Sequence, residues 1–457
     1  MRSVSRPGFV REYLQMPRLF GTDGVRGIAN KELTPDLALA LGRAAGFVMA
    51  NHGIVVVGRD TRISGPMIQG ALVAGLCSAG VHVRLAGIVP TPAVAFLTVD
   101  EKAAAGAVIS ASHNPIQDNG IKFFSNEGLK VSAAVEDKIE SAMQTSEMEL
   151  PTGSQVGAAD VIEDGVDRYL DHVVSSVAGS LETGLKIVLD CAFGAAWSAG
   201  PEAFDRAGAE VVAINAENDG SRINVDCGST NLSALAERVV SERAQLGLAF
   251  DGDADRVLAV DEHGDQVDGD RLLGLTAVHL HSLDELDHNM VIATVMSNLG
   301  FKRALEEKGI EVVFAPVGDK FVAEAMAQHG AVLGGEQSGH IILGKHSTTG
   351  DGILAGLQIA AIVAASDRPL SKLAHFFEPF PQVLINVEVA AKRLLDAHEP
   401  LWEEVRAAEH ALGDDGRVLV RASGTEPLVR VMVEASDPEM AQSVAEKLAD
   451  SVSNYLN

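Results

Sequence analysis

Short apolar runs alternate with longer small-residue or amphipathic stretches along most of this chain. Thr34-Pro35 opens a helix: a capping hydroxyl, proline at the first helical position, then an Ala/Leu run to about His52. Ile54–Val57 is a β-branched run suited to a buried strand, followed by a loop over 58–65 and a second helix ending near Ala79. Val81–Ala86 and Ala104–Ile109 continue the alternation, which predicts a mostly parallel sheet covered on both faces. A polar stretch from Gln144 to Gly165 interrupts it. Strands are predicted again at Leu185–Asp190, Glu210–Ile214, Leu246–Phe250, Val291–Val295 and Glu311–Phe314, before a helix at Gly352–Ala365. After residues 366–370 the pattern changes. Strands at Val383–Val389, Val418–Arg421 and Leu428–Glu434 surround one helix and precede another. The expected fold is α/β, with three similar mixed or parallel-sheet α/β domains (18–163, 164–264 and 265–378) and a smaller C-terminal α+β domain (379–457). Residues 1–17 are expected to form a flexible extension.

The 457 residues agree with three or four domains. A 47% hydrophobic, 22% charged composition excludes wholesale disorder. The net charge of −27 argues against nucleic acid or an anionic membrane as partner. A small phosphorylated ligand in a local positive pocket remains open. The 3 cysteines lack CxxC spacing, which fits a reducing compartment and offers no thiolate metal site. No secretory signal or apolar run long enough to span a bilayer is visible, so the cytoplasm is the expected location.

In so acidic a chain, cations gathered in Gly-rich loops need a reason. Asp251-Gly-Asp-Ala-Asp-Arg256 follows an apolar strand. Carboxylates at i, i+2 and i+4 on extended backbone point one way, and hard oxygen ligands suit Mg²⁺. A solvated acidic turn is the bland alternative. A calcium loop fails because its sixth position is Arg256 rather than Gly. Ile109-Ser-Ala-Ser-His-Asn-Pro115, with Asp118-Asn-Gly-Ile-Lys122, also ends a strand, where open α/β sheets bind ligands. A serine there serves as phosphoryl carrier or merely as a turn residue. A serine–histidine hydrolase is disfavoured, since neighbours on extended backbone point apart and no G-x-S-x-G elbow is present. Arg421-Ala-Ser-Gly-Thr-Glu-Pro-Leu-Val-Arg430 lies between two strands and offers Arg421, Ser423, Gly424, Thr425 and Arg430 as a phosphate cradle. There is no P-loop. Gly334-Gly-Glu-Gln-Ser-Gly-His340 presents Glu336 and Ser338 to sugar hydroxyls, or is a simple glycine-rich turn. Phe20-Gly-Thr-Asp-Gly-Val-Arg-Gly27 and Gly58-Arg-Asp-Thr-Arg62 complete the set, with interdomain ion pairing as the competing role for Arg59 and Arg62.

Taken in order, these motifs resemble the α-D-phosphohexomutase family from about Arg18 to the C-terminus. The resemblance implies domains arranged around a central cleft, and an isomerase interconverting glucosamine 6-phosphate and glucosamine 1-phosphate for UDP-N-acetylglucosamine and cell-wall precursors. It implies that Ser112 is phosphorylated, and that Asp251, Asp253, Asp255 and the phosphoserine hold one Mg²⁺. A sugar 1,6-bisphosphate would be both activator and intermediate. Arg26, Lys122 and His340 match residues near the transferring phosphate, Glu336 and Ser338 the sugar readers, and the loop from Arg421 to Arg430 the grip on the non-reacting phosphate. Arg256 and Lys320 would lend electrostatic support. The implied partner is a small phosphosugar, with no nucleic acid and no membrane, and the implied assembly is a homodimer. The same chemistry on glucose or mannose phosphates, a non-catalytic sugar-phosphate sensor and a phosphatase are the competing functions. Lys320 stands where the family commonly has Arg, Asn231 where it often has His, and Phe193 where it usually has a polar residue.

Overall fold

The computed structural model describes residues 18–21, 23–145, 149–177, 181, 184–422 and 428–457. The expected extension at 1–17 lies outside them, as do Ser423, Gly424 and Thr425. Among the described residues four sheets follow one another along the chain, with six, five, four and three strands.

In the first sheet Ile54–Arg59 is central and runs parallel to His82–Ile88 and Ala105–Ile109. The expectation of a mostly parallel sheet fails on one side. Asp118–Ser125 pairs antiparallel with both Ala105–Ile109 and Val25–Ile28. The serine-bearing loop is too short for a crossover, so the chain returns as a hairpin. Its polar opening, Asp118-Asn119-Gly120, hid this strand from a pattern reading. The polar stretch beyond Gln144 likewise supplies an edge strand, Ala159–Val161. The first predicted helix runs from Pro35 to Ala45 and widens through Ala50, with Thr34 Oγ1 accepting from the Leu37 N–H at 3.2 Å. Left-handed Asn51 and His52 stop it.

The second sheet centres on Leu246–Phe250, flanked by Lys186–Asp190 and Val257–Asp261. The third carries the hairpin Leu333–Gly335 and Ile341–Leu343, whose turn holds Glu336 to His340. The fourth is an antiparallel sheet of Gln382–Glu388, Leu428–Ala435 and Gly416–Ala422. Helices Glu399–Leu412 and Pro438–Leu456 belong to the same C-terminal region. Strands Ala105–Ile109 and Leu246–Phe250 are buried along their whole length, so each delivers its following loop from a rigid base.

One apolar core runs through the first three sheets, joining Val56, Val94 and Leu97 to Ile187, Phe204 and Leu248, and on to Leu273, Phe301, Ile353 and Phe377. The fourth sheet keeps its own core around Val405, Val431, Val433, Leu448 and Val452. Its junction to the third sheet is polar. Glu434, fully buried, accepts from Arg417 Nε at 2.7 Å, Leu299 N–H at 3.0 Å and Asn298 Nδ2 at 3.3 Å. Among the described residues no helix is long and apolar enough to cross a membrane.

Candidate active site

Ser112 follows the end of Ala105–Ile109 with φ +51°, a left-handed conformation that a serine adopts only under constraint. It is 1% exposed, and its Oγ donates to Asp251 Oδ2 at 2.6 Å. The left-handed backbone also brings His113 Nδ1 to 3.1 Å from Oγ. The supposition that these adjacent residues point apart is therefore wrong, because the backbone between them is not extended. Burial and the neighbouring Arg256 and Arg26 push His113 down to about 4, so it is neutral near pH 7.

The three aspartates do converge, though by a route other than the one expected. Asp251 to Arg256 is a turn with Ala254 left-handed, φ +57°, rather than an extended segment. Carboxylate oxygens of Asp251, Asp253 and Asp255 lie within 4.8 Å of one another, and all three residues are buried. Burial, then the charges of Asp255 and Asp253, raise Asp251 well above the usual carboxylate range. Burial and Asp253 likewise raise Asp255. Burial would raise Asp253 too, but the Lys122 ammonium and the Thr91 hydroxyl, 2.7 Å away, hold it below its ordinary value. Asp253 Oδ1 and Asp255 Oδ1 have no hydrogen-bond partner among the described residues. Buried, converging, partly orphaned carboxylate oxygens fit a hard divalent cation.

Cations close the other side. Lys122, 2% exposed and on strand Asp118–Ser125, reaches Asp23 at 3.0 Å, Asp253 at 3.1 Å and Asp255 at 3.6 Å. Burial opposes its ammonium, yet these carboxylates raise its pKa. Arg26 pairs with Asp23 and donates to Asn114 Oδ1 at 2.9 Å and the Ala111 carbonyl at 3.3 Å. Arg256 donates its N–H to Asp251 at 3.3 Å, with Nε 3.9 Å from Asp255.

From the third sheet, His340 is 1% exposed, with Nε2 3.4 Å from Asp319 Oδ2, and Asp255, Asp319 and His340 form a second convergent group. Glu336 accepts from the Gly318 N–H at 3.0 Å and from Ser338 Oγ at 3.4 Å. Lys320 lies 3.7 Å from Glu136 on helix Ala133–Met143. In the fourth sheet Arg421 and Arg430 are direct cross-strand partners.

Several residues in this constellation had no sequence signal of their own. Lys130 bridges Asp23 at 2.5 Å and Asp319, tying first and third sheets. Thr91 supports Asp253, and Asn224 donates to the Ser112 carbonyl at 2.8 Å. Asp23 sits inside the motif at 20–27 and Asp319 is next to Lys320, which was the available hint. Arg62 is not an interdomain ion pair: its charge partner is Asp60, at 2.9 Å in the same loop.

Models of the phosphoglucomutase/phosphomannomutase family match this chain four times: α/β/α domain I at residues 17–149, domain II at 167–264, domain III at 268–380 and the C-terminal domain at 384–451. The chain belongs to that family. Phosphoglucosamine mutase of Desulforamulus reducens is 50% identical over 444 residues, 96% of this chain and 100% of the relative. That of Streptomyces coelicolor is 52% identical over 452 residues, with the same coverage. A phosphoglucomutase/phosphomannomutase family protein from Burkholderia thailandensis superposes with a TM-score of 0.83 at 26% identity, covering 96% of this chain and 98% of the other. N-acetylphosphoglucosamine mutase of Aspergillus fumigatus, solved with GlcNAc-6P and magnesium, shares the fold at a TM-score of 0.69 and 18% identity, covering 98% of each chain. Family membership answers the hydrolase alternative that the Ser112–His113 contact had reopened.

Proposed function

We propose that this phosphohexomutase catalyses the phosphoglucosamine mutase reaction, interconverting glucosamine 6-phosphate and glucosamine 1-phosphate through phosphorylated Ser112 and bound glucosamine 1,6-bisphosphate. The observation that carries the chemistry is the strained, buried Ser112 hydroxyl 2.6 Å from a three-aspartate cluster with Lys122 and Arg256 beside it. The relatives at about half identity over nearly their whole length support the amino sugar as substrate.

Asp251, Asp253, Asp255 and the Ser112 phosphate would hold Mg²⁺. When bound, the ion offsets charge on the transferring phosphoryl group. In the forward direction the bond from phosphorus to Ser112 Oγ breaks and one to the sugar O1 forms. The O1 proton passes to His340, whose ring nitrogens have no hydrogen-bond partner among the described residues. Lys122 and Arg26 neutralise charge that positioning and electrostatics must otherwise carry. The bisphosphate then turns around. The bond from O6 to phosphorus breaks, the phosphoryl group returns to Ser112 Oγ, and O6 takes the proton that His340 received from O1. Glu336 and Ser338 contact sugar hydroxyls in either orientation. Arg421, Arg430 and the intervening Ser423, Gly424 and Thr425 grip whichever phosphate is not reacting, and Arg256 and Lys320 supply supporting charge.

The product supplies UDP-N-acetylglucosamine and cell-wall precursor synthesis. A cytoplasmic location and a homodimer complete the reading on family resemblance, and sedimentation tests the latter. The deciding experiment compares kcat/KM for glucosamine 6-phosphate and glucose 6-phosphate with Mg²⁺ and a catalytic sugar bisphosphate. A strong preference for the amino sugar is expected. Equal or reversed preference would assign the enzyme to general hexose phosphates.

A further inference from the structure

We propose that Arg62 and Asn224 form a two-sided clamp that holds the serine loop in its reactive shape, making both of them positioning residues for Ser112. The inference rests on Ser112 being the phosphoryl carrier.

A left-handed serine persists only where its surroundings over-determine it. Here the constraint can be traced bond by bond. Arg62 is completely buried, and Asp60 at 2.9 Å balances its charge. Its Nη1 donates to the carbonyls of Pro115 at 2.6 Å and Asp118 at 2.9 Å. Its Nη2 donates to those of Ser112 and Asn114, both at 2.9 Å. A guanidinium has five N–H donors in one plane, and all are taken. None remains for a substrate phosphate, so Arg62 acts through the loop it holds.

The Ser112 amide is held as well. Its N–H donates to Ser110 Oγ at 2.9 Å, and Ser110 in turn donates to Asp60 Oδ2 at 2.6 Å. Asp60 thus anchors the guanidinium and, through Ser110, the nucleophile's own peptide. Both backbone polar groups of Ser112 are committed, which leaves only the hydroxyl for chemistry.

Asn224 closes the clamp from the second sheet's side. Its Nδ2 donates to the Ser112 carbonyl at 2.8 Å and the Asn114 carbonyl at 3.2 Å, the same pair that Arg62 Nη2 holds. Asn224 is itself fixed, its N–H donating to the Ala192 carbonyl at 3.0 Å. The approach is too tight for side chains. A Cβ on Gly252 would lie 2.5 Å from the Ser112 carbonyl oxygen and 2.9 Å from Asn224 Nδ2. One on Gly220 would lie 1.9 Å from the Thr61 carbonyl oxygen, beside Arg62. The serine loop is therefore shaped jointly by its own sheet and by the region that carries the aspartates.

The test uses the full-length enzyme as parent, Asn224→Ala, Asn224→Asp and Arg62→Lys. Each is charged with glucose 1,6-bisphosphate, and phosphate on Ser112 is counted by intact mass. Charged enzyme is then chased with glucosamine 6-phosphate, and transfer to sugar is measured against release of inorganic phosphate. Misplacing the carrier should lower kcat by about 10- to 100-fold, with KM moving far less. Transfer to sugar should fall relative to hydrolysis. Asn224→Asp should be worse than Asn224→Ala, because it aims an acceptor at two carbonyl oxygens. A space-filling role predicts the opposite order, since Asp matches Asn in shape. The clamp is overturned if Asp is the milder change, or if kcat falls only in step with the phosphorylatable fraction while partitioning stays at the parent value. Should Arg62→Lys fail to fold, the Asn224 pair still decides. A parent enzyme that takes no phosphate on Ser112 would instead overturn the mutase reading, and the clamp with it.

Discussion

The first three sheets and the fourth solve the same problem of attachment in opposite ways. The first three share a continuous apolar core, so the serine loop, the aspartate turn and the sugar hairpin are embedded in a single packed body. The fourth keeps its own core and meets the third through hydrogen bonds and charge, centred on Glu434, Arg417 and Asn298. Apolar interdigitation tolerates little sliding, whereas a polar joint exchanges partners at modest cost. On the proposed mechanism, rigidity falls to the end that would perform chemistry and adjustability to the end that would grip phosphate, and a substrate turning around between two half-reactions would need both.

The sharpest way to separate the two ends is Ser112→Ala. Turnover should be lost to background while affinity for the sugar phosphate, measured by calorimetry, stays within about twofold, because only the carrier is removed. Full turnover in this variant would break the assignment. Next in size is Lys122→Met, which strips a buried ammonium from Asp23, Asp253 and Asp255. Leaving buried carboxylates unpaired should cost about 3 kcal/mol or more in the unfolding of the three-sheet body, read by urea titration without added metal. The fourth sheet should be untouched.

Glu434→Gln addresses the joint. It leaves Arg417 without its partner carboxylate, and about 1–3 kcal/mol should disappear from the fourth sheet's protection in hydrogen exchange over residues 416–435. Equal loss across the whole molecule would show that the joint is not a boundary. The smallest effect is pH-dependent. Burial, with Asp268 nearby, pushes Asp270 up to about 7, and its Oδ2 accepts from the Asn298 N–H at 2.8 Å. A folded pKa above the ordinary value means a stabilising contribution that is complete below about pH 4 and is lost as pH rises through about 7. Asp270→Asn should therefore gain on the parent between pH 5 and 8, by about 1–3 kcal/mol in urea unfolding. A constant difference across that range would refute it.

Much of this was legible in the chain because its chemistry is written in contiguous words. Ser112 and the three aspartates each close a strand made visible by an unbroken apolar run, and the structure brings them together. The local geometry was not legible. Left-handed Ser112 and Ala254 turn segments expected to be extended into tight loops, and only tertiary hydrogen bonds stabilise those conformations. Thr91, Lys130 and Asn224 were invisible for a related reason. Each acts on a partner far away in sequence, and nothing in its immediate neighbours marks it. Asp118–Ser125 was missed as a strand because its first three residues are turn formers that happen to pair with Val25–Ile28.

The self-contained core of the fourth sheet also bears on inheritance. A unit whose apolar residues face one another, joined to the rest by a handful of side chains around Glu434, is exchangeable between relatives without repacking its host. On the proposed roles, grafting a different C-terminal unit would alter the grip on the non-reacting phosphate and leave the third sheet's hairpin, with Glu336 and Ser338 in its turn, as it was. The first three sheets have no such freedom, since replacing one would strand half of a shared interior.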